Sequence, residues 1–238
     1  SYLILLIFLQ LMINLFNVIF YNQKGQGRMS KHPTKFKEMN QTHVSSKTKR
    51  IVYRGFFSVE EHELSYQKFN KTQSDVVTRS ALVSTDAVIV LPYDPINDRV
   101  LLIEQFRTGP YVKGDKSPWV LEPIAGLVDQ GESPETAGLR EAYEEAHLKI
   151  DKLELIARSY PSPGISTEFF HQYIGITALP ETTNLISGLA SEDEDIRSHI
   201  FCFTDFLKMI DTGVISVGPA ILLGLWLARY RDTKRIAT

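Results

Sequence analysis

The chain has 238 residues, room for one domain of ordinary size with an extension, and 43% of them are hydrophobic, enough to build a core. A formal net charge of -2, with no basic stripe interleaved with aromatics in the folded part, gives no general attraction to nucleic acid. The single cysteine, Cys202, excludes an internal disulfide and points to a reducing compartment; within IFCFT it reads as a buried strand residue. No internal repeat, zinc-type Cys/His cluster, phosphate loop or dinucleotide fingerprint is present.

Residues 1–20 (SYLILLIFLQLMINLFNVIF) carry no charge and have the length of a membrane span, without the basic start and small-residue cleavage site of a secretory signal. Two readings stand. Either the segment spans a membrane, in which case Lys24, Arg28, Lys31, Lys35 and Lys37 leave the rest on the cytoplasmic side, or it is upstream sequence preceding a start at Met29. Polar, basic residues 29–48 are expected to be disordered. Ile51–Ser58, Glu63–Phe69 and Asp75–Ser84 read as three short antiparallel strands, with SVEE and NKTQS as turns. Ala87–Leu91 and Val100–Phe106 are apolar strands split by PYDPIND, and Trp119–Ile124 is a strand leading into a glycine loop. Ser133 as N-cap, Pro134 at the first helical position and Glu135 facing the positive dipole end open a helix. Leu153–Tyr160, Phe169–Ala178 and Ile196–Phe203 are further strands. Thr204–Asp211 and Pro219–Arg229 are helices, the second with Ile221, Leu222, Leu225 and Trp226 on one apolar side.

The helix opened by Ser133 carries the chemistry. Glu141, Glu144 and Glu145 stand at i, i+3 and i+4 and share one face, where each like-charge pair costs roughly 0.2–0.5 kcal/mol. Arg140 stands at the edge of that face. A hard divalent cation such as Mg2+ takes carboxylate oxygens, bridges to phosphates and removes the conflict.

The run from Gly126 to Leu148 resembles the Nudix box, G-x5-E-x7-R-E-U-x-E-E-x-G-U. Gly126, Glu132, Arg140, Glu141, Glu144, Glu145 and Leu148 sit at its spacings, Ala142 fills the first aliphatic place, and His147 stands where the family has glycine. That glycine ends the helix in a left-handed conformation, which histidine adopts at some cost. The resemblance implies an α+β fold, a mixed β-sheet sandwiched between helices. Residues 1–49 would precede it as apolar segment and linker, residues 50–84 would form a small amino-terminal antiparallel sheet, and residues 85–238 would be the Nudix domain.

Features outside the box resemble the ADP-ribose pyrophosphatase group. Pro163, in Ser162-Pro163-Gly164, stands fifteen positions after Leu148, and Glu168 follows where that group has a substrate-contacting acid. In SGLASEDEDIRSHIF, Glu192 matches the position assigned as catalytic base, with Glu194 second. Arg107 matches a substrate-binding arginine, and Glu122, in PWVLEPIAG with Trp119, an acid near the metal site. The resemblance covers about residues 50–231. It implies hydrolysis of ADP-ribose to AMP and ribose 5-phosphate. Two or three Mg2+ ions, for which Mn2+ can substitute, would be held by Glu141, Glu144, Glu145 and the carbonyl of Ala125. Arg140 would brace the loop by pairing with Glu132. A homodimer acting on a small nucleoside diphosphate sugar in the cytoplasm is expected, with membrane attachment only through residues 1–20 and no nucleic-acid partner. The alternatives are a GDP-mannose or other sugar-nucleotide pyrophosphatase and a non-catalytic ADP-ribose sensor. Intact carboxylates and the lack of a helix-turn-helix pattern speak against the sensor.

Overall fold

The computed structural model describes residues 39–181, 185–189 and 193–236; the apolar segment at 1–20 and Glu192 lie outside the described residues. Two compact units are present, Ser1–Ser45 with Tyr66–Ser74 and Ser46–Ser65 with Asp75–Thr238. In the described part of the first, a 3-10 turn at Gln41–His43 is capped by Asn40, whose side chain accepts from the Thr42 N–H. There the N–H of Gln67 donates to the carbonyl of His43.

The second unit contains nearly everything else. Strands β1 (Val44–Arg54), β2 (Ser58–Tyr66) and β3 (Val77–Val83) form a three-stranded sheet with β2 in the centre. Here the sequence reading needs correction. β1 begins at Val44, inside the stretch expected to be disordered, and SVEE lies in β2 rather than in a turn; the bend falls at Gly55–Phe57 instead. The reason is charge pairing across the strands. Lys49 meets Glu60 at 2.7 Å, Arg50 meets Glu61 at 2.6 Å, and the Thr48 hydroxyl donates to Glu63 at 2.9 Å, so the basic residues of β1 find the acids of β2.

The larger sheet is mixed. Its strands β4 (Ala87–Asp94), β5 (Arg99–Phe106), β6 (Trp119–Glu122), β7 (Ile124–Leu127), β8 (Lys152–Ser159), β9 (Phe170–Ile176), β10 (Ile186–Ser187) and β11 (Ile196–Cys202) run in the order β10-β11-β5-β4-β9-β8, with β6 pairing β5 and β7 pairing β4. β4 and β9 are parallel; the other neighbouring strands of this sheet pair antiparallel. Pro123 divides the expected single strand 119–124 into β6 and β7, because a residue with no N–H cannot continue a ladder. Helices α1 (Thr108–Lys113), α2 (Pro134–Ala146), α3 (Phe203–Asp211) and α4 (Gly218–Ile236) complete the unit, α1 being unforeseen in the sequence.

β4 is buried at all eight positions because both its faces are covered. Val88 and Val90, with Leu101 and Ile103 of β5, pack on Ala137, Ala142 and Ala146 of α2. The alternate residues Ile89, Leu91, Val100 and Leu102 pack on Phe203 and Phe206 of α3 and Ala220, Leu223 and Leu227 of α4. The sheet therefore lies between helices, and α4 turns a different face inward from the expected one. Ile221 and Trp226 touch the core in part, but Leu222 and Leu225 are exposed, because the buried stripe runs through 220, 223 and 227. Cys202 is likewise exposed, at the junction of β11 and α3. Among the described residues no helix is long and apolar enough to cross a membrane.

α2 begins with the Ser133 hydroxyl accepting from Thr136 N–H at 3.1 Å and ends at His147, at φ 52° and ψ 30°. The N–H of His147 reaches Tyr143 O and that of Leu148 reaches Ala142 O, the hydrogen-bond pattern a glycine stop makes. The imidazole Nδ1 sits 3.2 Å from the same Tyr143 carbonyl, and its ring meets the Tyr143 ring edge-on. These contacts offset part of the left-handed cost.

Asp94 ends β4 and ties its turn to the distant Leu179. One oxygen accepts the N–H groups of Ile96 and Asn97, the other accepts from Asn97 Nδ2, Arg99 Nη2 and Leu179 N–H, all within 3.2 Å. Burial pushes its carboxyl up, but these donors outweigh burial and hold it below its ordinary value. Asp94→Ala, which strands buried donors, is expected to cost about 3–5 kcal/mol in urea unfolding. Since the folded carboxyl is depressed, its stabilisation is present above the unfolded value and lost as pH falls. The gap between variant and parent should therefore narrow below about pH 4.

Candidate active site

One cleft of about 850 Å³ gathers most of the residues singled out in the sequence. Its floor is Ala125 and Gly126 of β7, one wall is Arg140, Glu141 and Glu144 of α2, and the other is Gln105, Phe106 and Arg107 at the end of β5 with Trp119 of β6. Leu189, Asp193, Glu194 and Asp195 close a third side, and Phe56, between β1 and β2, reaches its mouth.

Arg140 organises the α2 wall. It grips Glu132 with two hydrogen bonds (3.2 and 3.1 Å), donates to Leu127 O at 3.1 Å, and places Nη1 at 2.7 Å from Glu141 and 3.0 Å from Glu144. It is thus central to the carboxylate face rather than at its edge, and it supplies a counter-charge to Glu141 and Glu144 as well as to Glu132. Glu132 first, then Glu141 and Glu144, raise its pKa, so it stays cationic. Because Glu141 and Glu144 both turn to this guanidinium, no three acidic, His or Cys side chains form a closed ligand set among the described residues.

Glu145 is different. It is 2% exposed, and its Oε2 accepts the N–H of Ala125 at 3.0 Å, which fixes the helix to the glycine loop. Burial pushes its carboxyl well up, and the charges of Glu141, Glu194 and Glu122 add to the rise against the Ala125 hydrogen bond. Glu141 is also pushed up by burial, opposed by Arg140, with Glu144 and Glu194 adding to the rise. Oxygen donors crowded and desolvated in this way fit a divalent cation by their chemistry, since an added positive charge relieves every one of these repulsions. Gly126 permits the crowding, for a Cβ there would collide with the Glu141 carboxylate.

On the opposite wall Arg107 Nε donates to Glu122 Oε1 at 2.7 Å. Glu122 is 7% exposed, and burial pushes it up while Arg107 opposes. The Arg107 side chain is 42% exposed and lines the cleft, as an anion-binding group must.

Pro163 and Glu168 are not among the lining residues; Pro163 is exposed in a turn, and Glu168, half-buried, is pushed up by burial. Glu192 lies outside the described residues. The sequence reading missed Phe56, 93% exposed at the mouth, and the aromatic contacts of Phe106 with Trp119 and Tyr111 at 5.5 and 5.9 Å. Two successive phenylalanines after a glycine at a hairpin bend were the available signal.

The NUDIX domain family matches residues 83–214. An ADP-ribose pyrophosphatase of Haemophilus influenzae is 34% identical over 199 residues, covering 83% of this chain and 91% of that protein. A GDP-mannose pyrophosphatase of Escherichia coli O1:K1 / APEC is 31% identical over 176 residues, covering 73% and 89%. A solved structure titled "Crystal structure of ADP compounds hydrolase" shares the fold with a TM-score of 0.62 at 20% identity, covering 83% of this chain and 99% of that one. With Gly126, Arg140, Glu141 and Glu144 of the box lining one cleft, and with these similarities, the chain belongs to the NUDIX domain family and is a Nudix pyrophosphohydrolase.

Proposed function

We propose that the protein hydrolyses the pyrophosphate bond of ADP-ribose to AMP and ribose 5-phosphate. The observation that carries this reading is the composition of one cleft: desolvated carboxylates on α2, a cationic Arg107 opposite them, and a bare phenylalanine at the mouth. A volume of about 850 Å³ lies within the usual range for a small-molecule site. The relatives named for ADP-ribose at 34% identity support this substrate. Those named for GDP-mannose at 31% make a GDP-sugar the second reading.

Glu141, Glu144, Glu145 and the carbonyl of Ala125 would hold Mg2+, with Mn2+ able to replace it. Such ions, when bound, neutralise the pyrophosphate and activate water. Every other task falls to the chain. Arg107 binds a phosphoryl oxygen while Glu122 fixes its orientation through Nε. Phe56 offers a ring face on which a base can stack, with Phe106 and Trp119 as apolar wall. Glu192 takes the proton from the attacking water, a step worth roughly 10^2–10^4-fold. Arg140 holds loop and helix together through Glu132 and keeps Glu141 and Glu144 aimed at the cleft. Pro163 and Glu168 are assigned to substrate contact on the resemblance alone.

With Mg2+, the purified protein should turn over ADP-ribose with a higher kcat/KM than GDP-mannose; the reverse order replaces the first reading by the second. Glu145→Gln should lower kcat at least about 10^2-fold without loss of fold. Gly126→Ala should act alike, since its methyl evicts a flexible carboxylate at little cost to stability. Normal turnover in both variants at saturating Mg2+ would overturn the metal assignment.

Phe56→Ala should raise KM about tenfold while leaving kcat nearly intact, since one stacked ring contributes about 1–3 kcal/mol equally to bound substrate and transition state. A loss confined to kcat would show that Phe56 does not bind the base.

The protein is further proposed to be a homodimer. All eleven residues of β1 are exposed, among them the adjacent Ile51, Val52 and Tyr53, and an open edge strand of that length calls for a partner. Light scattering should give twice the chain mass of 27.1 kDa. An active species at the single-chain mass refutes this.

A further inference from the structure

Phe56 reaches the mouth of the cleft from the bend between β1 and β2, and the support of that bend lies on β3. In the β2–β3 ladder Ser58 stands opposite Val83 and Val59 opposite Leu82, so the bend sits at the end of β3 that leads to β4. This end is stitched to the turn at 162–167. The Leu82 N–H donates to Ile165 O at 2.7 Å, the Thr167 N–H donates to Leu82 O at 2.9 Å, and Leu82 bridges to Ser166 in parallel. Ser84 follows. Its N–H donates to Thr167 Oγ1 at 3.0 Å, and the same hydroxyl donates to Ser84 O at 3.0 Å.

The threonine stands where a ladder cannot serve. Leu82 pairs with Ser166 but Ala87 with Phe170, so the two lines slip by one residue between these pairs. Ser84 lies in the slip, beyond β3 and before β4, and one hydroxyl acts towards it as both acceptor and donor in place of a neighbouring strand.

We propose that Thr167 is a positioning residue for substrate binding: its hydroxyl straps the end of β3 to the turn at 162–167 and so holds Phe56 over the cleft. Loss of the hydroxyl frees residues 84–86 where β3 joins β4, and a small tilt there is carried through the Val83–Ser58 pair to the bend. The inference deepens the reading of Phe56 as the ring on which the base stacks, and it rests on that reading.

The test compares Thr167→Val, Thr167→Ser, Phe56→Ala and the double variant of Thr167→Val with Phe56→Ala, on the nucleotide sugar that the parent turns over best. Valine keeps the branched shape and loses the hydroxyl, whereas serine keeps the hydroxyl. Thr167→Val should raise KM about three- to tenfold, the range of one net hydrogen bond, with kcat nearly unchanged. Thr167→Ser should keep the parent KM. In the Phe56→Ala background Thr167→Val should add nothing, because the ring it positions is gone. Amide hydrogen exchange at Ser84 should quicken in Thr167→Val and stay slow in Thr167→Ser. Additive effects on KM would overturn the proposal, since the turn would then act through another contact. Unchanged exchange at Ser84 in Thr167→Val, or a loss confined to kcat, would overturn it too. If Phe56→Ala raises KM and Thr167→Val does not, the proposal alone fails. If Phe56→Ala leaves KM unchanged, the stacking reading fails first and takes the proposal with it.

Discussion

The site depends on one guanidinium. Arg140 stands among three carboxylates and a carbonyl, joining the loop residues Leu127 and Glu132 to the helix residues Glu141 and Glu144. Without a cation at that point, the acids of α2 would repel one another and the glycine loop would lose one of its two links to the helix. Arginine suits the place better than lysine, because a planar fork can hold Glu132 with two nitrogens and still present a third hydrogen to the neighbouring acids. The loop and helix thus form one electrostatic unit, with Glu145 adding a second link through the Ala125 N–H.

That unit is presented by a sheet covered on both faces. α2 packs on one face through alanines, whose small side chains bring the helix close to β4 and β5, while the bulkier Phe203 and Phe206 fill the other. Close approach carries Glu145 into a desolvated setting where an isolated charge would be costly. The fold therefore contributes to the chemistry directly: it concentrates negative charge in a place where water cannot relieve it.

Much of this was legible in the sequence, for reasons that differ by element. The start of α2 was readable because Ser133 and Pro134 act locally, and the box because its acids recur at helical spacing. The continuous apolar runs of β4 and β5 announced burial on both sides. Elsewhere local signals failed. The first half of β1, up to Lys49, read as linker, since the acids its basic residues meet lie on the next strand. The inward stripe of α4 was misassigned because Leu222 and Leu225 are as apolar as Leu223 and Leu227; only the packing of α3 decides among them. Arg140 looked peripheral because a helical wheel shows where a side chain starts, not where a long one ends. Phe56 was hidden because exposure of an aromatic is a property of the fold, not of its neighbours in sequence.

The parallel pairing of β4 with β9 has a further consequence, for the time the chain needs to reach this structure. Ala87 lies beside Phe170 and Asp94 bonds Leu179, partners separated by more than eighty positions. The intervening chain includes β5, β6, β7, α2 and β8, so this pair, unlike the β4–β5 hairpin beside it, must wait for a long loop to close. Much of the cleft, from Gln105 to Glu144, comes from segments inside that loop. A newly made chain can have its carboxylate helix in place, Ser133 cap and all, well before the strands that give those carboxylates a buried setting have found one another. Folding speed, and exposure to proteases and aggregation during the wait, are therefore set by the same central pairing that fixes the site.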